Sequence, residues 1–228
     1  MPLRDVVRRP EAVIFDLDGT LIDTSAEFIA VVARMRAAHG LPSLKEEVVR
    51  KNVTNGASAL ITLALGSQPK DPDHDDLREE FLDHYEAILG TASRPYPGIY
   101  ALIKHLAAEG IPWGVATNKF RRFAEPLMKA MKFQPEAGSL VTPCDVMHPK
   151  PHPESILLSC KNLGATPKRS IYIGDHRRDI EAGAAAGCFT IAAAYGYIEA
   201  GENPQDWQAD AVVASSEALL GMIMRIIQ

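Results

Sequence analysis

The stretch Ala12-Val13-Ile14-Phe15-Asp16-Leu17-Asp18-Gly19-Thr20 runs an apolar segment directly into two carboxylates. Residues 13–15 read as the end of a central parallel strand. Asp16 and Asp18 then emerge at its carboxyl end, where open α/β sheets place their ligands. Gly19 lets the chain turn sharply. Asp-Gly is also an ordinary turn signal, so this stretch alone leaves open a strand followed by an acidic turn.

Outward from it, short apolar runs alternate with helical patterns, the signature of βαβ units around a parallel sheet. The expected strands are residues 12–15, 112–116, 139–141, 170–173, 189–193 and 211–213, and the expected core helices are 99–108, 123–131, 155–163 and 179–186. Residues 24–94 break the alternation. They carry amphipathic stretches at 26–38, 44–52, 57–65 and 76–89, a Pro-containing acidic loop at 66–76, and no convincing strand. The expected fold class is therefore α/β. A doubly wound, Rossmann-like parallel-sheet core (1–23 and 95–228) carries a small inserted α-helical domain (24–94), with Arg94-Pro95-Tyr96-Pro97-Gly98 marking the return.

The bulk properties narrow the class. A chain of 228 residues holds one sizeable core and a small accessory unit. Its net charge of −5 argues against nucleic-acid or anionic-membrane partners. Any anionic substrate then needs local cations. Cys144, Cys160 and Cys188 are odd in number and widely spaced, which fits a reducing cytoplasm better than a disulfide framework or zinc knuckle. Arg4, Arg8 and Arg9 precede no apolar signal core, so export and membrane spanning are not expected. The oligomeric state is not legible.

Three further polar signals follow three of the expected strands, and a doubly wound sheet would bring them to the edge that carries Asp16. Thr117-Asn118-Lys119 follows 112–116; a hydroxyl and backbone N–H groups at a strand-to-helix turn can grip phosphate oxygens or simply cap the helix. Lys150 sits in His148-Pro149-Lys150-Pro151-His152-Pro153, where the prolines aim one ammonium group. His148 and His152 read as surface residues, because no acid at ligand spacing accompanies them. Gly174-Asp175-His176-Arg177-Arg178-Asp179 places two acids four residues apart, on one side of a starting helix or as its caps. Bringing Asp175 near Asp16 and Asp18 costs on the order of 4 kcal/mol for each like-charge pair about 4 Å apart at an effective dielectric near 20. Such a cluster calls for cations: Lys150 and a hard divalent ion with oxygen ligands, Mg2+.

The ordered set Asp16-Leu17-Asp18-Gly19-Thr20, Thr117, Lys150 and Gly174-Asp175-x-x-x-Asp179 resembles the haloacid dehalogenase superfamily over nearly the whole chain, and 24–94 matches its helical cap. The resemblance implies a phosphoric monoester hydrolase working on a small phosphorylated metabolite. It implies Asp16 as the nucleophile that becomes an aspartyl phosphate and Asp18 as acid, then base. It also implies Mg2+ on the Asp16 side chain, the Asp18 backbone carbonyl, Asp175 and Asp179, with Thr117, Asn118 and Lys150 on the phosphoryl oxygens. The acid at Asp18 points to a phosphatase or a sugar phosphomutase rather than a dehalogenase or transport ATPase. A ligand-sensing protein without catalysis is the rival from another class, and three intact, mutually repelling acids argue against it.

Tyr96-Pro97-Gly98, Ala116-Thr117-Asn118-Lys119 and Tyr195-Gly196-Tyr197 resemble phosphoglycolate phosphatases within that superfamily. Trp113 to Lys119, Arg122-Phe123-Ala124-Glu125-Pro126 and the tail from Tyr195 to Asp210 resemble more closely the bacterial phosphatases of N-acetylmuramic acid 6-phosphate, in which an arginine stands at the position of Ser58. Both substrates carry a carboxylate, so a cation should face the site. The turn Thr54-Asn55-Gly56-Ala57-Ser58 is where the resemblance puts leaving-group recognition, with Asn55, Gly56, Ser58 and Arg122 as candidates. Lys119 or Lys51 could supply the cation instead. His176 departs from the family pattern outside the ligand positions, with little consequence expected.

Overall fold

The computed structural model describes residues 9–227; residues 1–8, with Arg4 and Arg8, lie outside the described residues, as does residue 228. Strand β1 (Ala12–Phe15) is wholly buried, and its residues alternate between two apolar layers. Val13 and Phe15 join the larger layer; Ile14 joins the one opposite. That period-two split is why a continuous apolar run suits a strand covered on both faces.

After β1 the chain makes a short strand β2 (Ile22–Asp23) and leaves the sheet for four helices: α1 (Ser25–Ala38), α2 (Glu46–Arg50), α3 (Gly56–Leu65) and α4 (His74–Ile88). It returns through β3 (Arg94–Pro95), antiparallel to β2. The sheet then grows through α5 (Ile99–Ala108), β4 (Trp113–Ala116), α6 (Arg121–Met131), β5 (Ser139–Val141), α7 (Glu154–Asn162), β6 (Ser170–Gly174), α8 (Arg177–Ala186), β7 (Phe189–Ala193), β8 (Ala211–Val213) and α9 (Ser216–Ile227).

Six parallel strands stand in the order β5-β4-β1-β6-β7-β8. The chain builds outward from β1 on one side, then recrosses it to build the other, which makes β1 the switch point. Phe15 pairs with Val115 on one side and Ile173 on the other, so the residues after β1, β4 and β6 leave the sheet at one edge. The four inserted helices share an apolar cluster of their own around Phe28, Met35, Leu60, Phe81 and Tyr85, which Phe123 and Tyr197 join from the sheet side.

Several expectations need correction. Segment 66–76 is not simply a solvated loop: Ser67 and His74 are buried, and the Ser58 hydroxyl lies 2.6 Å from His74 Nε2. Burying that ring draws His74 into the first turn of α4. The expected helix 44–52 shortens to Glu46–Arg50 and runs into a 3-10 turn at Val53–Asn55. The β2–β3 pair was too short to show as an alternating pattern, and α9, whose apolar residues pack onto the main core beside α5, was not expected.

Gly19 shows how tightly the site edge is built. Its φ is +81°, and a Cβ there would strike the Asp175 carboxylate and stand 2.9 Å from the Tyr197 ring. Gly19→Ala is expected to cost about 1–3 kcal/mol from backbone strain alone, with more from displacing Asp175. A urea unfolding midpoint equal to wild type would contradict that.

Candidate active site

Asp16, Asp175 and Asp179 meet at the carboxyl edge of β1 and β6, with one ligand oxygen from each lying within 4.8 Å of the others. All three are buried. Asp175 follows β6, where its Oδ1 accepts the Thr20 hydroxyl at 3.0 Å and its Oδ2 accepts the Tyr197 N–H at 2.7 Å. Asp179 sits in the first turn of α8 and closes a capping box: its Oδ2 accepts the His176 N–H at 3.1 Å, while His176 Nδ1 accepts the Arg178 N–H at 3.0 Å. The capping and clustering readings of this motif are therefore both true. His176 is less incidental than its position suggested, since it caps α8 and pairs with Glu199 at 2.9 Å.

Lys150 is the cation of this cluster. Its Nζ lies 2.8 Å from Asp16 Oδ1, 2.6 Å from Asp179 Oδ1 and 2.9 Å from the Tyr172 hydroxyl, with 1 % of the side chain exposed. Burial disfavours the ammonium, but the Asp16 and Asp179 carboxylates outweigh it and hold the Lys150 pKa above its ordinary value. Burial, then the charges of Asp16 and Asp179, push Asp175 well above the usual carboxylate range. Asp179 is raised by burial in spite of Lys150. Three carboxylates around one ammonium leave a surplus of negative charge, and the donors are all oxygens. Asp16, Asp175 and Asp179 form a set that could hold a hard divalent cation.

Asp18 faces a different environment. Lys119 Nζ donates to both its oxygens at 3.1 Å, and the Thr24 hydroxyl donates to Oδ1 at 2.6 Å. Lys119 also reaches the Tyr85 hydroxyl at 2.7 Å and lies over the Phe28 and Tyr85 rings. Asp16 and Asp18 both line a cavity of about 330 Å³ between the sheet edge and the inserted helices. Lys119 and Tyr85 belong to the site as much as the expected residues do. Lys119 was read only as a stand-in cation; Tyr85 carried no signal beyond helical apolar spacing.

The remaining expected residues divide. Thr117 lines the cavity, and its Oγ1 accepts the Lys119 N–H at 3.2 Å; it does not cap α6, whose first residue is Arg121. The Asn118 side chain is turned to the Lys150 loop. Its Nδ2 donates to the Lys150 carbonyl at 3.0 Å and its Oδ1 accepts the Lys150 N–H at 3.1 Å, so the amide positions Lys150, while the residue itself lines the cavity beside Thr117. Asn55, Gly56 and Ser58 all line the cavity. Arg122 stands in an adjoining depression with Arg78, 3.4 Å from Glu79. Lys51 is half-exposed, pairs with Glu47 and is not among the residues lining the cavity, so the structure does not bring it to the site as a compensating cation. Trp113 and Tyr195 are structural, through bonds to the Pro135 and Thr20 carbonyls.

Arg178 was missed. From α8 it crosses to the inserted segment, where Nη2 donates to the Thr54 carbonyl at 2.5 Å and hydroxyl at 2.9 Å. It ties the turn at residues 54–58 to the helix that bears Asp179. His148 and His152 are exposed as expected, but the ground for that reading is corrected: Glu154 does accompany them, its carboxylate 3.1 Å from His148 Nδ1 and 3.8 Å from His152 Nδ1. The first turn of α7 folds back on the loop and brings that acid in.

A family model of haloacid dehalogenase-like hydrolases matches residues 13–193. An N-acetylmuramic acid 6-phosphate phosphatase of Pseudomonas aeruginosa is 45% identical over 217 residues, covering 95% of this chain and 96% of its own. A phosphoglycolate phosphatase of Xanthomonas campestris is 34% identical over 207 residues, covering 91% and 93%. Among solved structures, a Haemophilus somnus protein described as a predicted phosphoglycolate phosphatase superposes with a TM-score of 0.82 over 93% of this chain and 97% of its own, at 24% identity, which speaks for the fold. Among the described residues, no helix is long and apolar enough to cross a membrane.

Proposed function

The chain belongs to the haloacid dehalogenase-like hydrolases and is a phosphatase of that family; on this premise we propose that it hydrolyses a small phosphomonoester through Asp16, with a divalent cation, Mg2+, as cofactor. The observation that carries the reading is the contrast between two carboxylates two residues apart. Asp16 belongs to the buried acidic cluster with Lys150, and Asp18 faces the cavity with Lys119.

The contrast suits two tasks. An Asp16 carboxylate oxygen forms a bond to phosphorus as the ester bond to the alcohol breaks, and Asp18 gives that alcohol oxygen its proton. Asp18 then takes a proton from the water that attacks the aspartyl phosphate, which returns Asp16 and releases inorganic phosphate. Thr117 Oγ1 already accepts one bond and keeps its own hydrogen for a phosphoryl oxygen; the N-terminus of α6 adds positive potential nearby. Asp16, Asp175, Asp179 and the Asp18 backbone carbonyl would hold the Mg2+, which when bound offsets the charge of phosphate and carboxylates. Residues 24–94 serve as the cap over this edge, and Arg178 positions its turn at 54–58. The compartment is the cytoplasm, and neither nucleic acid nor membrane is a partner.

A phosphate-release screen across small metabolites, including 2-phosphoglycolate and N-acetylmuramic acid 6-phosphate, tests this. Release is expected to stop with EDTA and to return with Mg2+. Isomerisation of a sugar phosphate without free phosphate would point to the mutase instead, and neither outcome to a ligand sensor.

A further inference from the structure

Arg78, Leu82 and Tyr85 stand at i, i+4 and i+7 on α4, and all three line the cavity. They form one stripe of the helix. Tyr85 marks the reacting end, since its hydroxyl is 2.7 Å from the Lys119 ammonium that holds Asp18. At 1.5 Å per residue, the Arg78 backbone lies about 10 Å further along the axis. Leu82 stands between them on the helix, and Phe28 and Phe123 pack against the Tyr85 ring, so the α4 side of the cavity is apolar between its two polar ends.

Among the described residues, Lys150 is paired with Asp16 and Asp179 and Lys119 with Asp18, while Arg178 has no acidic partner but uses Nη2 on the Thr54 carbonyl and hydroxyl, which fixes it at the turn beside α8. Arg78 is placed otherwise. Among the described residues its one acidic partner is its sequence neighbour Glu79, at 2.8 Å, and Glu79 is shared with Arg122 at 3.4 Å. Glu79 and Arg122 are about half exposed, so these pairs are weak and readily exchanged. Two guanidinium groups around one carboxylate leave a surplus positive charge at the cavity mouth, with fork geometry suited to a carboxylate.

We propose that Arg78 is a specificity-determining residue that binds a carboxylate carried by the leaving group about 10 Å from the phosphoryl group, across an apolar stretch. This rests on the phosphatase reading above. It acts as a ruler. In 2-phosphoglycolate the phosphorus and carboxyl carbon are at most about 4 Å apart, too short to engage both ends. A sugar phosphate with its acid across the ring spans roughly 8 Å, and the arginine side chain covers the difference.

The test compares kcat/KM for N-acetylmuramic acid 6-phosphate, for N-acetylglucosamine 6-phosphate, which lacks the lactyl carboxylate, and for 2-phosphoglycolate, with p-nitrophenyl phosphate reporting the chemistry alone. Wild type is expected to favour the acidic sugar over the neutral one by about 10- to 100-fold, the range that a hydrogen bond to a charged group supplies. In Arg78→Gln the gap should shrink to within about 3-fold, mainly through KM, and Arg78→Lys should restore part of it. Equal rates on the two sugars in wild type, or an unchanged gap in folded Arg78→Gln, would overturn the proposal while leaving the phosphatase reading intact. No phosphate from any of the four esters would overturn that reading, and the proposal with it.

Discussion

Asp16→Asn is expected to lower kcat by at least about 10⁴-fold, because an amide cannot form the aspartyl phosphate and loss of a catalytic nucleophile costs up to about 10⁶-fold elsewhere. Stability should move the other way or not at all. Asp16 is one of three buried acids around a single ammonium, and Lys150 keeps Asp179 at 2.6 Å and the Tyr172 hydroxyl at 2.9 Å without it. Removing a charge from a surplus relieves repulsion, so the Asn variant in metal-free buffer should melt no lower than wild type. Loss of turnover with folding preserved marks Asp16 as a reacting group; a lower Tm with turnover retained would mark it as structural.

Lys150→Met has the opposite signature. It leaves Asp16 and Asp179 buried with no neighbouring ammonium, and removing one partner of a buried ion pair typically costs about 3–5 kcal/mol. For a chain of this size that corresponds to a Tm lower by about 6–20 °C. Activity should fall as well, since Lys150 fixes the carboxylate that attacks. Asn118→Ala, which frees the Lys150 backbone on both sides, should reproduce part of the kinetic loss with a smaller thermal one. A Lys150→Met protein that melts with wild type would show that the ammonium carries little of the cluster's charge balance.

The sheet was legible because β1 is buried on both faces, and a fully buried parallel strand has no choice but a continuous apolar run. Asp16 and Asp175 were legible because charged residues at the end of such strands stand out against it, and Asp179 by its four-residue spacing from Asp175. The partners that set their behaviour were not. Tyr85 and Arg178 are ordinary helix residues in sequence, and only the packing of α4 and the turn at 54–58 over the sheet edge brings them to the cavity; Lys119 follows β4 at the expected edge, but nothing local assigns it to Asp18. Asn118 has a task that its local sequence did not show. Its place beside Thr117 suggested a phosphate ligand, while its amide reaches 32 residues along the chain to hold Lys150. The strands β2 and β3 have two paired residues each, too few for any periodicity.

Ser58 shows why leaving-group recognition was the least legible part. An uncharged hydroxyl at that turn bonds to the buried His74, and the cation at the mouth comes from α4, twenty residues later. Charge at a cavity mouth is a property of surfaces brought together in space, and no local spacing encodes it.

The claim on which the rest depends is that Asp16 carries the phosphoryl group during turnover. Rapid acid quench of the enzyme with substrate labelled in the phosphoryl group, followed by peptide mapping, tests it most directly. Label is expected on the peptide containing Asp16 within the first turnover, decaying as inorganic phosphate appears, and absent from Asp16→Asn. Product formed at full rate with no protein-bound label at any time would mean that water attacks phosphorus directly, and would contradict the account.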